Sequence, residues 1–308
     1  MQKSAFIFPG QGSQALGMLK DLAEEFAVVG DTFAEASEVL GYDLWKLVQE
    51  GPEADLNATE RTQPALLTSS VATWRAWQSL GGEAPAYMAG HSLGEYSALT
   101  CAGAIDFRDA VALVEARGRY MQAAVPAGTG AMAAIIGLDD DAVRQGCSDA
   151  AQGEVVEAVN FNSPGQVVIA GGKAAVDRAC EVLKANGAKR ALVLPVSVPS
   201  HCALMQPAAE QLAERLAAIN IQVPGIAVIN NVDVAVADSS DAIRDALVRQ
   251  LYRPVRWTET VQKLAGQGVE NLYECGPGKV LTGLTKRIDK GLSAAALHVG
   301  DDLRNLKA

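Results

Sequence analysis

The stretch Gly90-His91-Ser92-Leu93-Gly94 constrains this chain more than any other. It sets a serine between two glycines where an apolar run, Ala86-Tyr87-Met88-Ala89, gives way to a helical pattern, Glu95-Tyr96-Ser97-Ala98-Leu99. A Gly-x-Ser-x-Gly turn with a strand before it and a helix after it is a nucleophile elbow. The turn is tight and strained, so its neighbours must be glycines if the serine oxygen is to be thrust outward. The helix that follows aims N–H groups and a partial positive charge at any anion formed on Ser92. An α/β fold with chemistry at Ser92 is therefore expected.

A serine nucleophile needs a base, and only His91, His201 and His298 are present. Adjacent residues at a strand end point to opposite sides, which leaves His91 as a packing residue. His298 sits in the apolar piece Ala296-Leu297-His298-Val299 without polar company and reads as structural. His201 lies between Val198-Pro199-Ser200 and a helical pattern from Ala203 onward, on a loop where catalytic groups are often carried. By elimination His201 is the base. Arg117 falls on an inward stripe with Ala110, Leu113, Val114 and Met121. A guanidinium on an apolar face keeps its proton and must meet an anion. Spacing alone leaves two anions open, an internal Asp or Glu and a ligand.

With 308 residues, 49% hydrophobic and 20% charged, the chain can bury the core of one large domain or two smaller ones. No apolar run approaches the ~18 residues that span a bilayer. Met1-Gln2-Lys3 leads directly into a strand rather than a targeting segment, so a cytoplasmic protein is expected. The five cysteines, Cys101, Cys147, Cys180, Cys202 and Cys275, show no paired spacing, and three histidines cannot complete a metal cluster. No metal and no cofactor are expected. A net charge of −10 disfavours nucleic acid as a partner. It also repels acidic proteins, for which the local basic candidates are Lys189-Arg190 and Lys286, Arg287 and Lys290, with Lys286 and Lys290 on one face of a last long helix.

A small-residue linker, Pro126-Ala127-Gly128-Thr129-Gly130, marks a boundary. Beyond it the pattern predicts strand Ala131 to Leu138, helix Asp140 to Ala151, strands Val155 to Asn160 and Gln166 to Ala170, helix Ala174 to Asn186, and strand Arg190 to Leu194. That βαββαβ order is the split unit of a ferredoxin-like fold. The expected architecture is an α/β-hydrolase-like core, 1–125 plus 197–308, with a ferredoxin-like subdomain, 126–196, inserted into it. The cleft between them is the expected pocket. Asn162, in the turn after the second insert strand, is placed to reach it, although Asn-Ser-Pro-Gly is equally a plain turn.

Several segments together resemble the malonyl-CoA:acyl carrier protein transacylases of bacterial fatty acid synthesis. They are Phe8-Pro9-Gly10-Gln11-Gly12-Ser13-Gln14, Thr62-Gln63-Pro64-Ala65, the elbow extended to Glu95-Tyr96, Asn160-Phe161-Asn162-Ser163-Pro164-Gly165-Gln166, Pro199-Ser200-His201, Gln250 through Trp257, and Glu274-Cys275-Gly276-Pro277-Gly278-Lys279. The resemblance implies Ser92 as nucleophile, His201 as base, and the backbone carbonyl of Gln250 as the group that holds the imidazole. Because that acceptor is main chain, Gln250→Ala is expected to retain substantial turnover. The N–H groups of Gln11 and Leu93 would form the oxyanion hole, and Arg117 would grip the free carboxylate of a malonyl group. Met121 and Ser200 would border the acyl group, the space beside Ser200 setting tolerance for larger units. The implied reaction is a ping-pong transfer from malonyl-CoA to the phosphopantetheine thiol of holo acyl carrier protein, docked through Lys189, Arg190, Lys286 and Arg287. Two other readings share the elbow and base or the partner: a serine hydrolase or thioesterase, and a non-enzymatic subunit that binds carrier protein.

Overall fold

The computed structural model describes residues 3–196 and 198–307. The readings made on Met1 and Gln2, and the domain boundary at Ser197, lie outside the described residues. Among the described residues nine strands form two sheets. The first contains β1 (Ser4–Phe8), β2 (Tyr87–Gly90), β7 (Ala227–Ile229), β8 (Asn271–Cys275) and β9 (Ser293–Leu297), all parallel, in the order β7-β2-β1-β8-β9. The second contains β3 (Gly130–Ile136), β4 (Val156–Ser163), β5 (Gln166–Gly172) and β6 (Arg190–Val193), all antiparallel, in the order β4-β5-β3-β6. The chain is thus a mixed α/β protein.

The central strands β1 and β2 are buried on both faces, as in a parallel sheet covered by helices, while the edge strand β9 leaves Ser293 and Ala295 exposed. Alternation along β1 sends Phe6 and Phe8 into one apolar cluster with Leu66, Trp74 and Val114, and Ala5 and Ile7 into another with Ile229 and Trp257. Two long helices carry the first cluster, Thr59–Ser79 and Phe107–Ala123. The second begins three residues before the predicted apolar stripe. Asp106 precedes it with a side chain that accepts from the N–H groups of Arg108 and Asp109, satisfying two of the free donors at its N-terminus.

The antiparallel sheet buries one face against the helices Asp140–Ala151 and Lys173–Ala185. Its other face, with Met132, Val159 and Val168, packs on Cys202 beside His201. Main-chain bonds stitch the two sheets' regions together: Phe161 N–H donates to Val255 at 3.0 Å and Val255 N–H donates to Val159 at 2.8 Å. Strand β4 runs through Ser163, so Asn162 lies in the strand rather than in the turn. The reason is that only Pro164 and Gly165 separate β4 from β5, so Phe161 pairs with Val167 and Ser163 with Gln166, and Asn162 sits at the irregularity between them.

Near the C-terminus, the helix Val280–Ile288 carries Lys286 and Arg287. Lys290 is not on it. Asp289 adopts an extended conformation and its Oδ1 accepts from the Gly291 N–H, which ends the helix before the predicted i, i+4 partner. His298 is also less isolated than its apolar neighbours suggest, since its Nδ1 lies 3.5 Å from Asp302. Among the described residues no helix is long and apolar enough to cross a membrane.

Candidate active site

The elbow follows from two close approaches. A Cβ on Gly90 would stand 1.9 Å from the Gly94 backbone, and one on Gly94 would stand 2.1 Å from the Phe8 carbonyl. Neither position admits a side chain, so the turn between β2 and the helix Leu93–Cys101 forms directly against the end of β1. Ser92 is held at φ +52° and ψ −111°, outside the usual regions for an L residue. Asn231, just past β7, pins this conformation: its Oδ1 accepts from Ser92 N–H at 2.8 Å and its Nδ2 donates to Gly90 O at 2.7 Å. Strain at a single residue persists only where the surroundings over-determine it.

His201 meets Ser92 from the opposite side of the cleft, with Nε2 at 2.7 Å from Oγ. Its Nδ1 lies 2.6 Å from the backbone carbonyl of Gln250. A carbonyl can only accept, so Nδ1 carries the proton and Nε2 is left with a lone pair for the serine hydroxyl. Burial, followed by the nearby charge of Arg117, pushes the imidazole down to about 3 against the opposing pull of the Gln250 carbonyl. The ring is therefore neutral at any ordinary pH, with the Nε2 lone pair facing the serine hydroxyl. No carboxylate takes the place the carbonyl holds, so the ring's tautomer is set without the added charge stabilisation that an aspartate supplies.

Arg117 is 1% exposed. Its Nη1 donates to Gln63 Oε1 at 2.8 Å and its Nη2 to Gln250 Oε1 at 3.0 Å, with Ser92 Oγ at 3.4 Å. The guanidinium also lies over the Tyr96 ring at 5.2 Å. Its Nε has no partner, and among the described residues it forms no ion pair with a carboxylate. Of the two anions left open by spacing, the internal pair is absent. The result is a buried cation with N–H groups to spare, next to a nucleophile.

Ser92, His201 and Arg117 share a cleft of about 120 Å³ with Gln11, Leu93, Met121, Ser200 and His91 on its walls. Met132, Asn160 and Leu194 close it from the antiparallel sheet. The N–H groups of Gln11 and Leu93 donate to no protein acceptor among the described residues. Asn162 does not line the cleft itself but touches it through His91, whose Nε2 lies 2.8 Å from Asn162 Oδ1 and whose ring stands against Trp257. His91 is thus both packed and part of the wall.

The side chain of Gln250 corrects one expectation. It is fully buried, and besides accepting from Arg117 it donates from Nε2 to Ser92 O at 3.0 Å and to Glu95 Oε2 at 2.8 Å. Truncation leaves the main-chain bond to His201 in place but strands three buried partners, at about 1–3 kcal/mol each. Gln250→Ala is now expected to lower stability by about 3 kcal/mol or more and to reduce turnover through a misaimed Arg117. Denaturant midpoints and kcat measured on the same preparation check this; an unchanged midpoint contradicts it.

Glu95, Asn231 and the Gln63 side chain were invisible as functional groups in the sequence. Glu95 and Gln63 stand in segments that resemble the family, but nothing in spacing says that they converge. Asn231 follows an apolar strand with no other mark. Lys189, Arg190, Lys286 and Arg287 are all exposed and outside the cleft. They are nonetheless contiguous: Arg287 Nη1 donates to Gln166 Oε1 at 2.8 Å, and Gly165 beside it accepts from Gly137, against which the Lys189 side chain packs.

With this geometry in hand, comparison with known proteins is specific. The acyl transferase domain family matches residues 5–295. The malonyl CoA-acyl carrier protein transacylase of Escherichia coli K12 is 66% identical over 298 residues, covering 97% of this chain and 96% of the relative. The crystal structure of an acyl carrier protein S-malonyltransferase from Vibrio cholerae superposes with a TM-score of 0.97 at 67% identity, over 99% of this chain and 100% of the other. A malonyl-transacylase solved in complex with its type II PKS acyl-carrier protein superposes at 0.98 with 64% identity, over 99% of each chain. Sequence, fold and the elbow agree, and this chain belongs to the acyl transferase domain family, among the malonyl CoA-acyl carrier protein transacylases.

Proposed function

We propose that this protein moves a malonyl group from coenzyme A to the phosphopantetheine thiol of acyl carrier protein, supplying fatty acid synthesis through a malonyl-Ser92 intermediate. The observation that carries the reading is Arg117, a buried cation without a carboxylate partner among the described residues, whose Nη2 stands 3.4 Å from Ser92 Oγ. A carboxylate accepts two parallel N–H bonds from a guanidinium, whereas an acetyl group leaves those donors unpaired. Acyl selection and the nucleophile are thereby joined in one cleft.

The steps follow from the atoms. His201 Nε2 takes the Ser92 proton as Oγ attacks the thioester carbonyl, and the oxyanion turns to the N–H groups of Gln11 and Leu93. The imidazolium then returns its proton to the departing coenzyme A sulfur. In the second half the carrier-protein thiol enters, gives its proton to His201 and attacks the ester carbonyl, and His201 returns that proton to Ser92 Oγ as the malonyl group leaves on the thiol. Asn162 acts through His91 at the cleft wall, while Met121 and Ser200 border the acyl group. Side chains and main-chain N–H groups suffice, so no cofactor is invoked.

The same reading extends to architecture and partner. The strand order β4-β5-β3-β6 supports a ferredoxin-like subdomain at 126–196, inserted into an α/β-hydrolase-like core formed by the rest. The exposed patch of Lys189, Arg190, Lys286 and Arg287 offers an acidic carrier protein a positive landing site on a chain of net charge −10. Reversing Lys286 and Arg287 to Glu is expected to raise KM for carrier protein several-fold while leaving KM for malonyl-CoA unchanged; equal effects on both substrates defeat the docking assignment. Five free thiols, four of them buried, fit a reducing cytoplasm.

Mass spectrometry after exposure to malonyl-CoA tests the core of the proposal. A malonyl adduct on Ser92 that survives in water and discharges to holo carrier protein is expected. An adduct that water removes as fast as the thiol does supports a hydrolase instead, and no adduct leaves only a binding role.

A further inference from the structure

Two charged side chains lie buried behind the nucleophile, Arg117 and Glu95, each 1% exposed. They do not touch. Gln250 stands between them, accepting from Arg117 Nη2 through Oε1 at 3.0 Å and donating to Glu95 Oε2 through Nε2 at 2.8 Å. The Asn231 N–H donates to the same carboxylate oxygen at 2.9 Å. An isolated buried cation is costly, and an opposite charge nearby offsets much of that cost. Glu95 supplies that charge at one remove, which keeps the guanidinium's remaining N–H groups uncommitted. The transfer steps described above make no use of it.

Resting on the reading that Arg117 holds the malonyl carboxylate, we propose that Glu95 is the resident counter-ion of this site and takes up a proton from solvent when the substrate's carboxylate pairs with Arg117. The reason is electrical. Without substrate, and with Glu95 ionised, the buried pair is neutral, and a second carboxylate makes it negative unless one acid is protonated. The malonyl carboxylate has direct N–H bonds to the guanidinium, whereas Glu95 senses it only through an amide, so the proton goes to Glu95. Burial already pushes the Glu95 carboxyl up to about 7, against the lowering effects of Gln250, Asn231 and Arg117. Once the Arg117 charge is satisfied elsewhere, one of those effects weakens and the group rises further. The ionisable groups facing Glu95 are Arg117 from the helix Phe107–Ala123, Asp233 from the loop after β7, and Tyr96 on its own helix; Gln250 and Asn231 face it as neutral amides. Glu95 is thus a specificity-determining residue that acts through Gln250: acetyl groups bring no charge and trigger no uptake.

The experiment counts protons. Acyl transfer itself is balanced, because the Ser92 hydroxyl proton ends on the coenzyme A thiol. Stoichiometric enzyme is mixed with malonyl-CoA at pH 7.5 in weak buffer with an indicator dye, and Ser92 adducts are counted by mass in the same sample. Wild type is expected to take up more than about half a proton per malonyl adduct relative to the acetyl adduct formed from acetyl-CoA. Glu95→Gln preserves the acceptor for Gln250 and Asn231 but cannot titrate, and its malonyl adduct is expected to form with no such uptake. A wild-type malonyl adduct without proton uptake overturns the proposal, as does the same uptake in Glu95→Gln or on acetylation. The acetyl control on wild type decides the matter even where the variant folds poorly. Absence of any Ser92 adduct overturns the acyl-transfer reading, and this proposal with it.

Discussion

Arg117→Ala is expected to lower kcat/KM for malonyl-CoA by ~10³-fold or more, while slow transfer from acetyl-CoA changes far less. A site built to hydrogen-bond a substrate group discriminates strongly through that bond, because its polar groups are left unpaired by the wrong ligand. Here the unpaired group is a full charge, 1% exposed, whose Nε lacks a partner among the described residues. Removing it also deprives Gln63 Oε1 and Gln250 Oε1 of their donor, so some loss of stability accompanies the loss of selectivity. The ratio of the two specificity constants separates these effects, since a stability defect lowers both together. A ratio that stays at the wild-type value assigns Arg117 a structural role.

His201→Ala is expected to slow formation of the Ser92 adduct by ~10²–10⁴-fold, the usual worth of a positioned general base. Single-turnover acylation reads this directly, and an undiminished rate removes His201 from the mechanism. The same variant carries a stability signature of known sign. The folded imidazole is held down at about 3 by burial and by Arg117, whereas the unfolded one titrates near its ordinary value of about 6.5. As pH falls below about 6.5 the unfolded chain binds a proton that the folded chain refuses, so stability is lost progressively down toward pH 3. Between pH 7 and pH 5 wild type is expected to lose about 2 kcal/mol more than His201→Ala. His91, whose pKa burial also lowers, contributes in the same direction but is present in both proteins. Equal losses in the two proteins refute the buried, neutral imidazole.

Much of the site was legible in local pattern. An elbow declares itself because two glycines, a strand and a helix must be contiguous in the chain for the turn to exist at all. The helix Asp140–Ala151 was read to the residue, since Asp139 caps it by accepting from the Ala142 N–H and three acidic residues crowd its start. Asn162 and Lys290 were misplaced for local reasons: a two-residue hairpin connection is tighter than its four-residue turn signal, and an Asx bond at Asp289 stops a helix that composition alone would continue. Gln250 was misjudged for a different reason. Its carbonyl role came from family resemblance, but its side chain matters through Arg117, Ser92 and Glu95, residues 133, 158 and 155 positions away.

By itself the sequence determined where a strained serine had to stand, which histidine could serve it, and that one arginine was destined for the interior. Those facts follow from chain-local sterics, from elimination among three histidines, and from helical periodicity. Only the tertiary structure decided that Arg117 has no carboxylate partner among the described residues, that Asn231 pins the strained Ser92, and that Glu95 waits one amide away. These are relations between β1, β2, β7 and helices far apart in the chain, and a charge's cost is set by its surroundings in space rather than by its neighbours in sequence.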